Sequence, residues 1–353
     1  MKGKATSFDI AYRAGVSQAT VSRALRGSPL VSLQTRSRIQ AIAKELNYKV
    51  DKNASALRRQ HSETLALLLF EDPTADDSLI NPFFLSMLGS ITRACAQRGF
   101  DLLISFQQLS EDWHADYQDS HKADGLILLG YGDYLASKRN FDRLVEQGTH
   151  FVRWGAEVDG QREVSVGCDN VQGGRIATEH LLGCGHRRIG FIGTAAPNRP
   201  EYFDRYRGHC QALANAGLGA DPRLQVDASD STEFLGYSAI TELLGRGVGF
   251  DAVFAASDLM AIGAMRALAE RGLSVPGDVA VIGFDDIPMA SFAIPPLTTV
   301  AQDTKRAGEV LVESVIAQIR GEPARSVMLP TTLVIRRSSG VERISAASRR
   351  AVR

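Results

Sequence analysis

Gln18 and Ser22, and beside them Ala19 and Arg23, are spaced four residues apart, so a helix over Ser17 to Leu25 carries them as two adjacent pairs on one face. A glutamine amide can read the edge of adenine or another base, an arginine can pair in bidentate fashion with guanine, and Ala19 can pack against a thymine methyl. Ser17, Thr20 and Ser22 suit phosphate or short polar contacts, which set register rather than read sequence. This is the chemistry of base recognition, not of turnover. The chain has no GxxxxGK[ST] loop, no GxSxG elbow and no HExxH pair, and Gly183, Gly185, Gly190 and Gly193 do not reproduce GxGxxG. No enzyme and no cofactor are expected. Cys95, Cys168, Cys184 and Cys210 lie 73, 16 and 26 residues apart, which fits neither a zinc cluster nor a disulfide framework. Cys184 and His186 read as a helix-to-strand loop, and no metal site is expected.

The elements that position the reading face follow from the flanking pattern. Phe8, Ile10, Ala11 and Ala14 recur at helical spacing until Gly15, the residue best suited to a left-handed turn. Ser17 can cap the next helix, whose Val21, Ala24 and Leu25 would face the first. A third helix, Leu33 to Leu46, places Ile39, Ile42, Ala43 and Leu46 on one side and Arg36, Arg38 and Lys44 on the other. Three short helices of this kind make an all-α helix-turn-helix head, its second helix free to enter a major groove. Charge agrees: residues 1–60 hold twelve basic and three acidic residues, a net of +9, so the remainder of a neutral chain carries −9. A basic unit joined to an acidic body is the footprint of a nucleic-acid-binding head.

The string DIAYRAGVSQATVSRALRGSPLVSLQTRSRIQAIAKELNY, Asp9 to Tyr48, resembles the DNA-binding head of the LacI/GalR repressor family, in which AGVS, TVSR and a trailing LNY recur in this order. The resemblance implies that the polar segment after Tyr48 is a hinge helix. Two turns are too few to stand alone in water, so the helix should form only when something packs against it; the resemblance implies that it orders on DNA beside its dimer mate and wedges a leucine, here Leu57, into the minor groove. Val50 stands where the family commonly has proline and Asp51 where it has asparagine; Asp51 still suits an N-cap.

From Thr64 onward, apolar runs at Leu65, Phe100, Asp124, Arg187, Phe250 and Val279 alternate with helical stretches over Phe83 to Gln97, Gly173 to Leu182, Tyr206 to Ala216, Glu233 to Leu244 and Leu259 to Arg271. Strand then helix, repeated, argues for parallel sheets covered on both faces. The segments NPFF, DNVQGGRIATEHLLGCGHRRIGFIG, ASDLMAIGAMRAL, VPGDVAVIGFDD and PPLTTV resemble the effector core of the same family, similar to periplasmic sugar-binding proteins. That implies a two-lobed type I periplasmic-binding-protein-like α/β core with three crossings between lobes. The expected divisions are a head at 1–50, a hinge at 51–61, a core at 62–340 and a basic tail at 341–353. Lobe one takes about 62–167 plus 302–330, and lobe two about 168–301 plus 331–340.

Ligands of open parallel sheets sit beyond the carboxyl ends of the strands. Asp285 follows such a strand and can accept from two hydroxyls, and Arg205 can donate from the opposite wall; the resemblance makes both effector contacts. Phe83 and Phe84 would line the first lobe, Trp154 would stack on a sugar ring, and Gln302 would sit at a crossover. Ser231 stands about where many relatives carry an aromatic residue, and Asp286 is expected in a turn.

At 353 residues and 44% hydrophobic, this chain should divide into several packed units. Its apolar runs fall far short of the roughly 20 residues that cross a bilayer, and Met1 to Phe8 do not read as a secretory signal. A cytoplasmic location is expected. The expectation is a homodimeric transcriptional regulator, a repressor of carbohydrate uptake or catabolism genes, that binds a pseudo-palindromic operator under control of a small sugar-like effector. The alternative is control by a protein corepressor or a non-sugar metabolite such as a purine. The tail has no leucine heptad, so a dimer is the default.

Overall fold

The computed structural model describes residues 5–25, 27–48, 61–69, 80–106, 112–130 and 132–340. The expected hinge over 51–60, with Leu57, and the basic tail over 341–353 lie outside the described residues. The chain divides into two compact units, Met1–Ser62 and Glu63–Arg353.

The first unit holds helices α1 (Ser7–Ala14), α2 (Gln18–Leu25) and α3 (Leu33–Glu45). Thr6 opens α1 with a reciprocal capping box: its backbone N–H donates to Asp9 Oδ2 at 2.7 Å, and its hydroxyl accepts from the Asp9 N–H at 3.4 Å. Those bonds from Thr6 hold the Asp9 carboxyl below the usual carboxylate range. Gly15 ends the helix at φ 62°, where a side chain is disfavoured. Ile10, Ala11, Ala14, Val21, Ala24, Val31, Ile39 and Ala43 form the core, with Leu25, Ile42 and Leu46 half-buried at its edge. Phe8 departs from the expected pattern and is 67% exposed. Two residues along a helix is about 200° of rotation, so once Ile10 and Ala14 face inward Phe8 points out, on the side of Tyr12.

The second unit is built on two six-stranded sheets. The first lobe contains β1 (Thr64–Leu69), α4 (Pro82–Gln97), β2 (Asp101–Phe106), β3 (Gly125–Leu129), α5 (Tyr134–Glu146), β4 (Phe151–Trp154) and β5 (Ser165–Cys168). The chain then crosses to α6 (Asn170–Gly183), β6 (Ile189–Ile192), α7 (Pro200–Asn215), β7 (Gln225–Val226), α8 (Glu233–Gly245), β8 (Ala252–Ala255), α9 (Asp258–Glu270), β9 (Ala280–Asp285), α10 (Pro288–Phe292) and β10 (Thr298–Gln302). It returns through α11 (Thr304–Ile319) to β11 (Val327–Leu329) and crosses once more to β12 (Thr331–Val334). The strand orders are β11-β5-β4-β3-β1-β2 and β12-β10-β9-β8-β6-β7. Every pair is parallel except β10 with β12. Three crossings and two sheets bear out the expected fold class. Leu65 through Leu69 are all buried, as a strand covered on both faces requires.

One boundary moves with consequences. Helix α7 starts at Pro200, well before the expected Tyr206, with proline in its first turn, where the missing N–H costs nothing. Arg205 therefore sits inside a helix of the second lobe rather than on a loop.

Candidate functional site

In the first unit, α2 presents Ser17, Ala19 and Arg23 exposed and Gln18, Thr20 and Ser22 half-buried, while Val21 and Ala24 anchor it inward. The Ser17 hydroxyl accepts from the Thr20 backbone at 3.2 Å, satisfying one of the helix's open donors. Gln18 Nε2 donates to Ser7 Oγ at 2.9 Å, tying the start of α2 to the start of α1. Arg36, expected on the polar face of α3, turns inward: its Nη2 donates to the Ser28 carbonyl at 2.7 Å and fixes the loop after α2. Arg23 is exposed in the last turn of α2.

In the second unit, the polar candidates converge. Gln302 Nε2 donates to Asp285 Oδ1 at 2.7 Å. Arg205 Nη1 lies 3.7 Å from the same oxygen, both side chains being almost wholly buried. Asp285 ends β9 and Gln302 ends β10, so both project from the carboxyl edge of the second sheet. Arg205 and Asp285 both belong to the second lobe, as the expected division at 168–301 has them, and they meet at the carboxyl edge of its sheet. Arg205 Nε donates to Asn170 Oδ1 at 2.8 Å, and Nη1 donates to the Ala256 carbonyl. Its guanidinium lies 3.7 Å from the Phe284 ring centroid and 5.5 Å from that of Tyr202. Cation and ring thus share one desolvated space.

Burial pushes the Asp285 carboxyl up to about 7, against the pull of Arg205 and Gln302. Asp258, fully buried beneath it, is raised well above the carboxylate range by burial and then by Asp285, even though Ile287 N and the Thr299 hydroxyl donate to it. Asp285 is also held at φ 117°, a region in which side chains are strained by about 1–3 kcal/mol, and Asp286 at φ 52°. Asp286 turns away to pair with Arg336 at 2.6 Å, as a turn residue. Ser231 donates to Ser257 at 2.7 Å, so a pair of small hydroxyls lies where an aromatic side chain was the expected family pattern.

The aromatic candidates form a separate group in the first lobe. Phe83 and Phe84 are buried in the core, ring edge to ring face at 5.3 Å, and Trp154 packs 5.9 Å from Phe83. Trp154 also lines a pocket with Leu128, Gly130, Asp133, Tyr134 and Arg153, and Glu201 of the second lobe lines it too. Phe83 and Phe84 do not line that pocket. Glu201 joins the lobes by accepting from the Ala156 N–H at 2.9 Å. Asn198 joins them a second time: its carbonyl accepts from Tyr134 N at 2.9 Å and its amide donates to Asp133 Oδ2 at 3.0 Å.

Several of these residues gave no sequence signal, since Glu201, Asn198, Asp133 and Asn170 are ordinary polar residues until the crossings bring the lobe edges together. The packing of α6 on α7 was legible only as a pair of glycines. A Cβ at Gly174 would lie 2.0 Å from the Arg205 carbonyl oxygen, and one at Gly208 would lie 2.0 Å from that of Val171. Bare backbone there lets the two helices touch and sets the height of Arg205.

Among the described residues, no group of three or more His, Cys, Asp or Glu is placed to hold a metal ion, and no helix is long and apolar enough to cross a membrane. Cys95 and Cys168 are buried free thiols, raised by burial to about 11 and about 12.

Comparison with known proteins matches both units. Residues 8–51 match the model of bacterial regulatory proteins of the lacI family, and residues 178–339 that of the periplasmic binding protein-like domain. The HTH-type transcriptional regulator CelR of Thermobifida fusca is 35% identical over 336 residues, 93% of this chain and 96% of that protein. The ribose operon repressor of Escherichia coli (strain K12) is 31% identical over 335 residues, 94% of this chain and 98% of that protein. The solved CelR-cellobiose complex superposes with a TM-score of 0.70 at 33% identity, over 95% of this chain and 99% of that one.

Proposed function

The chain belongs to the lacI family of bacterial regulatory proteins and is a DNA-binding transcriptional regulator; on that premise we propose that it represses carbohydrate uptake or catabolism genes, with a small sugar in its core setting operator affinity. The observation that carries the effector reading is the buried Arg205–Asp285–Gln302 group at the carboxyl edge of the second sheet. Ligands of open parallel sheets bind at that edge. A carboxylate flanked by a guanidinium and an amide offers the alternating acceptors and donors that vicinal hydroxyls require. Trp154 lines a pocket at the lobe junction with Glu201 of the second lobe, where it can offer an aromatic wall, and the cellobiose complex of CelR supports a sugar as the ligand class.

The two heads of a homodimer bind half-sites related by its twofold axis in the cytoplasm, where operator DNA lies. Arg23, Gln18 and Ala19 read bases, Ser17, Thr20 and Ser22 hold the backbone, and Leu57 wedges the minor groove. In the core, Asp285, Arg205 and Gln302 hold the sugar directly, Trp154 packs on it, Phe83 supports Trp154, and Phe84 packs on Phe83. A sugar that prefers one lobe arrangement shifts the population of hinge-ordered dimers by its differential affinity, and operator binding changes by the same coupling free energy.

The test is a footprint of the full chain on the DNA upstream of its own transcription unit, with and without mono- and disaccharides. A palindromic protected site whose occupancy changes with one sugar is the expected result. A protected site indifferent to every sugar, and sensitive instead to a purine or to a protein corepressor, would replace the effector assignment while leaving the DNA-binding one. Leu57→Ala is expected to lose specific operator binding while keeping effector affinity; unaltered footprints would remove Leu57 from the wedge role.

A further inference from the structure

Charge around the lobe junction is lopsided. Three arginines lie there, and each is already matched: Arg153 with Glu163 at 3.2 Å, Arg199 with Asp230 at 3.1 Å and Arg205 with Asp285 at 3.7 Å. Arg153 is additionally fixed by the Ala156 carbonyl at 2.9 Å and Gln161 at 3.1 Å, and lies 5.0 Å from the Tyr134 ring centroid. Two carboxylates at the pocket between Trp154 and α7 take hydrogen bonds from neutral groups instead, with Arg199 acting on Asp133 through its charge. Glu201 takes the Ala156 N–H, and Asp133 takes the Asn198 amide and the backbone N–H of Ala136 at the start of α5. The Asn198 amide and that helix start hold Asp133 below the usual carboxylate range, so it is ionised at neutral pH. Glu201 is 6% exposed, so little water screens it. The pocket lining thus sets two carboxylates, Asp133 and Glu201, against one arginine, Arg153, whose charge Glu163 already matches, and its apolar and aromatic walls are Leu128, Tyr134, Phe141 and Trp154.

From this we infer that the effector is an uncharged sugar, and that Glu201 and Asp133 are the specificity residues that turn away its phosphorylated and carboxylated counterparts. The inference rests on the sugar reading above and sharpens it. A phosphate or carboxylate entering beside Trp154 meets two carboxylates at short range in a poorly hydrated space, and every nearby arginine would have to leave its own partner to compensate. A neutral sugar meets no such cost, because carboxylates accept from paired hydroxyls and the aromatic wall takes the ring face.

The experiment is calorimetry of the full chain against matched sets: glucose, glucose 6-phosphate and glucuronate; ribose and ribose 5-phosphate; cellobiose and cellobionate. The expected result is a neutral member that binds at least about tenfold more tightly than its charged partners, about 1.4 kcal/mol. A charged member that binds as well as or better than its neutral partner overturns the charge rule alone and leaves the effector reading standing. Silence from every neutral sugar overturns both. The residues are tested by Glu201→Gln with Asp133→Asn, which keeps the acceptor for Ala156 and the cap of α5 while removing both charges. The double variant should bring neutral and charged partners to within about threefold of each other. Undiminished discrimination, with the neutral sugar still bound, would reject these two residues as the filter.

Discussion

The head and the core solve opposite problems with polar side chains. The head keeps its working groups outside: Ala19 and Arg23 are exposed on a helix held by a small apolar core, and Arg36 is the half-buried cation that holds the loop after α2. The core encloses Arg205, Asp285, Asp258, Arg153 and Glu163, and every one of them needs a partner in place before it can be buried. A surface reader loses function without losing stability when a working residue is cut, whereas a buried site loses both.

The largest effect that sharpens this contrast is expected from Arg205→Met. Removing the cation leaves Asp285 buried beside a methionine, and the core should lose about 3 kcal/mol or more along with its sugar response. Trp113 and Trp154 are the two tryptophans of the chain and both lie in the core, so their fluorescence in urea reports that unit alone. An unshifted midpoint would break the claim that burial couples function to stability here. Next comes Gly174→Ala, whose Cβ would lie 2.0 Å from the Arg205 carbonyl. Separating α6 from α7 should cost about 2 kcal/mol in the same assay, within the usual range for overpacking, and weaken sugar binding by displacing Arg205.

On the head side, Arg23→Ala should cost about 1–3 kcal/mol of operator affinity at one base position while leaving thermal unfolding by circular dichroism where it was. A matching loss of stability would place Arg23 in the head's packing and erase the contrast. Smaller still, Thr6→Ala should destabilise the head by about 1 kcal/mol through the lost cap, with core fluorescence unmoved.

The smallest effect is a pH slope confined to the core. The Asp285 carboxyl titrates at about 7 when folded, against an ordinary 3.8, so the folded state holds its proton more tightly. Its contribution is fully present below about pH 4 and is lost as pH rises through 7. His209, buried and pushed down to about 4 from 6.5, works the other way: its contribution is present above 6.5 and lost as pH falls toward 4. Asp258 beside it is raised in the same direction, so between pH 6.5 and 7.5 the slope belongs to the coupled Asp285 and Asp258 carboxyls. Core melting temperature should fall across that window in the native chain and stay flatter in Asp285→Asn; parallel curves would mean that Asp285 is ionised throughout.

The head was legible almost residue by residue, because each helix signal is local: Thr6 and Asp9 at a start, Gly15 at an end, Val21 and Ala24 one turn apart. Even there Phe8 was misplaced, since helical spacing admits two phases over eight residues and only packing chooses between them. In the core, strand and helix segments were readable from their runs, while the site was readable only in part. Asp285 and Gln302 stood out as residues just beyond strands. Arg205 was left just ahead of the helix expected from Tyr206, because the proline that starts α7 was not used as a helix signal.

The amino-acid pattern by itself determined the three-helix head, its reading face, the alternation that makes parallel sheets and the separation of basic head from acidic body. All of these rest on periodicity, capping or composition within short windows. The tertiary structure decided what long-range contact decides: that Arg205 and Asp285 are buried side by side, that Glu201 reaches across to Ala156, that Asn198 meets Asp133, and that Gly174 lets two helix backbones touch. Those residues lie from 31 to 80 positions apart in the chain. Charge, burial and spacing at either position alone carry no information about the other until the three crossings bring the lobe edges together.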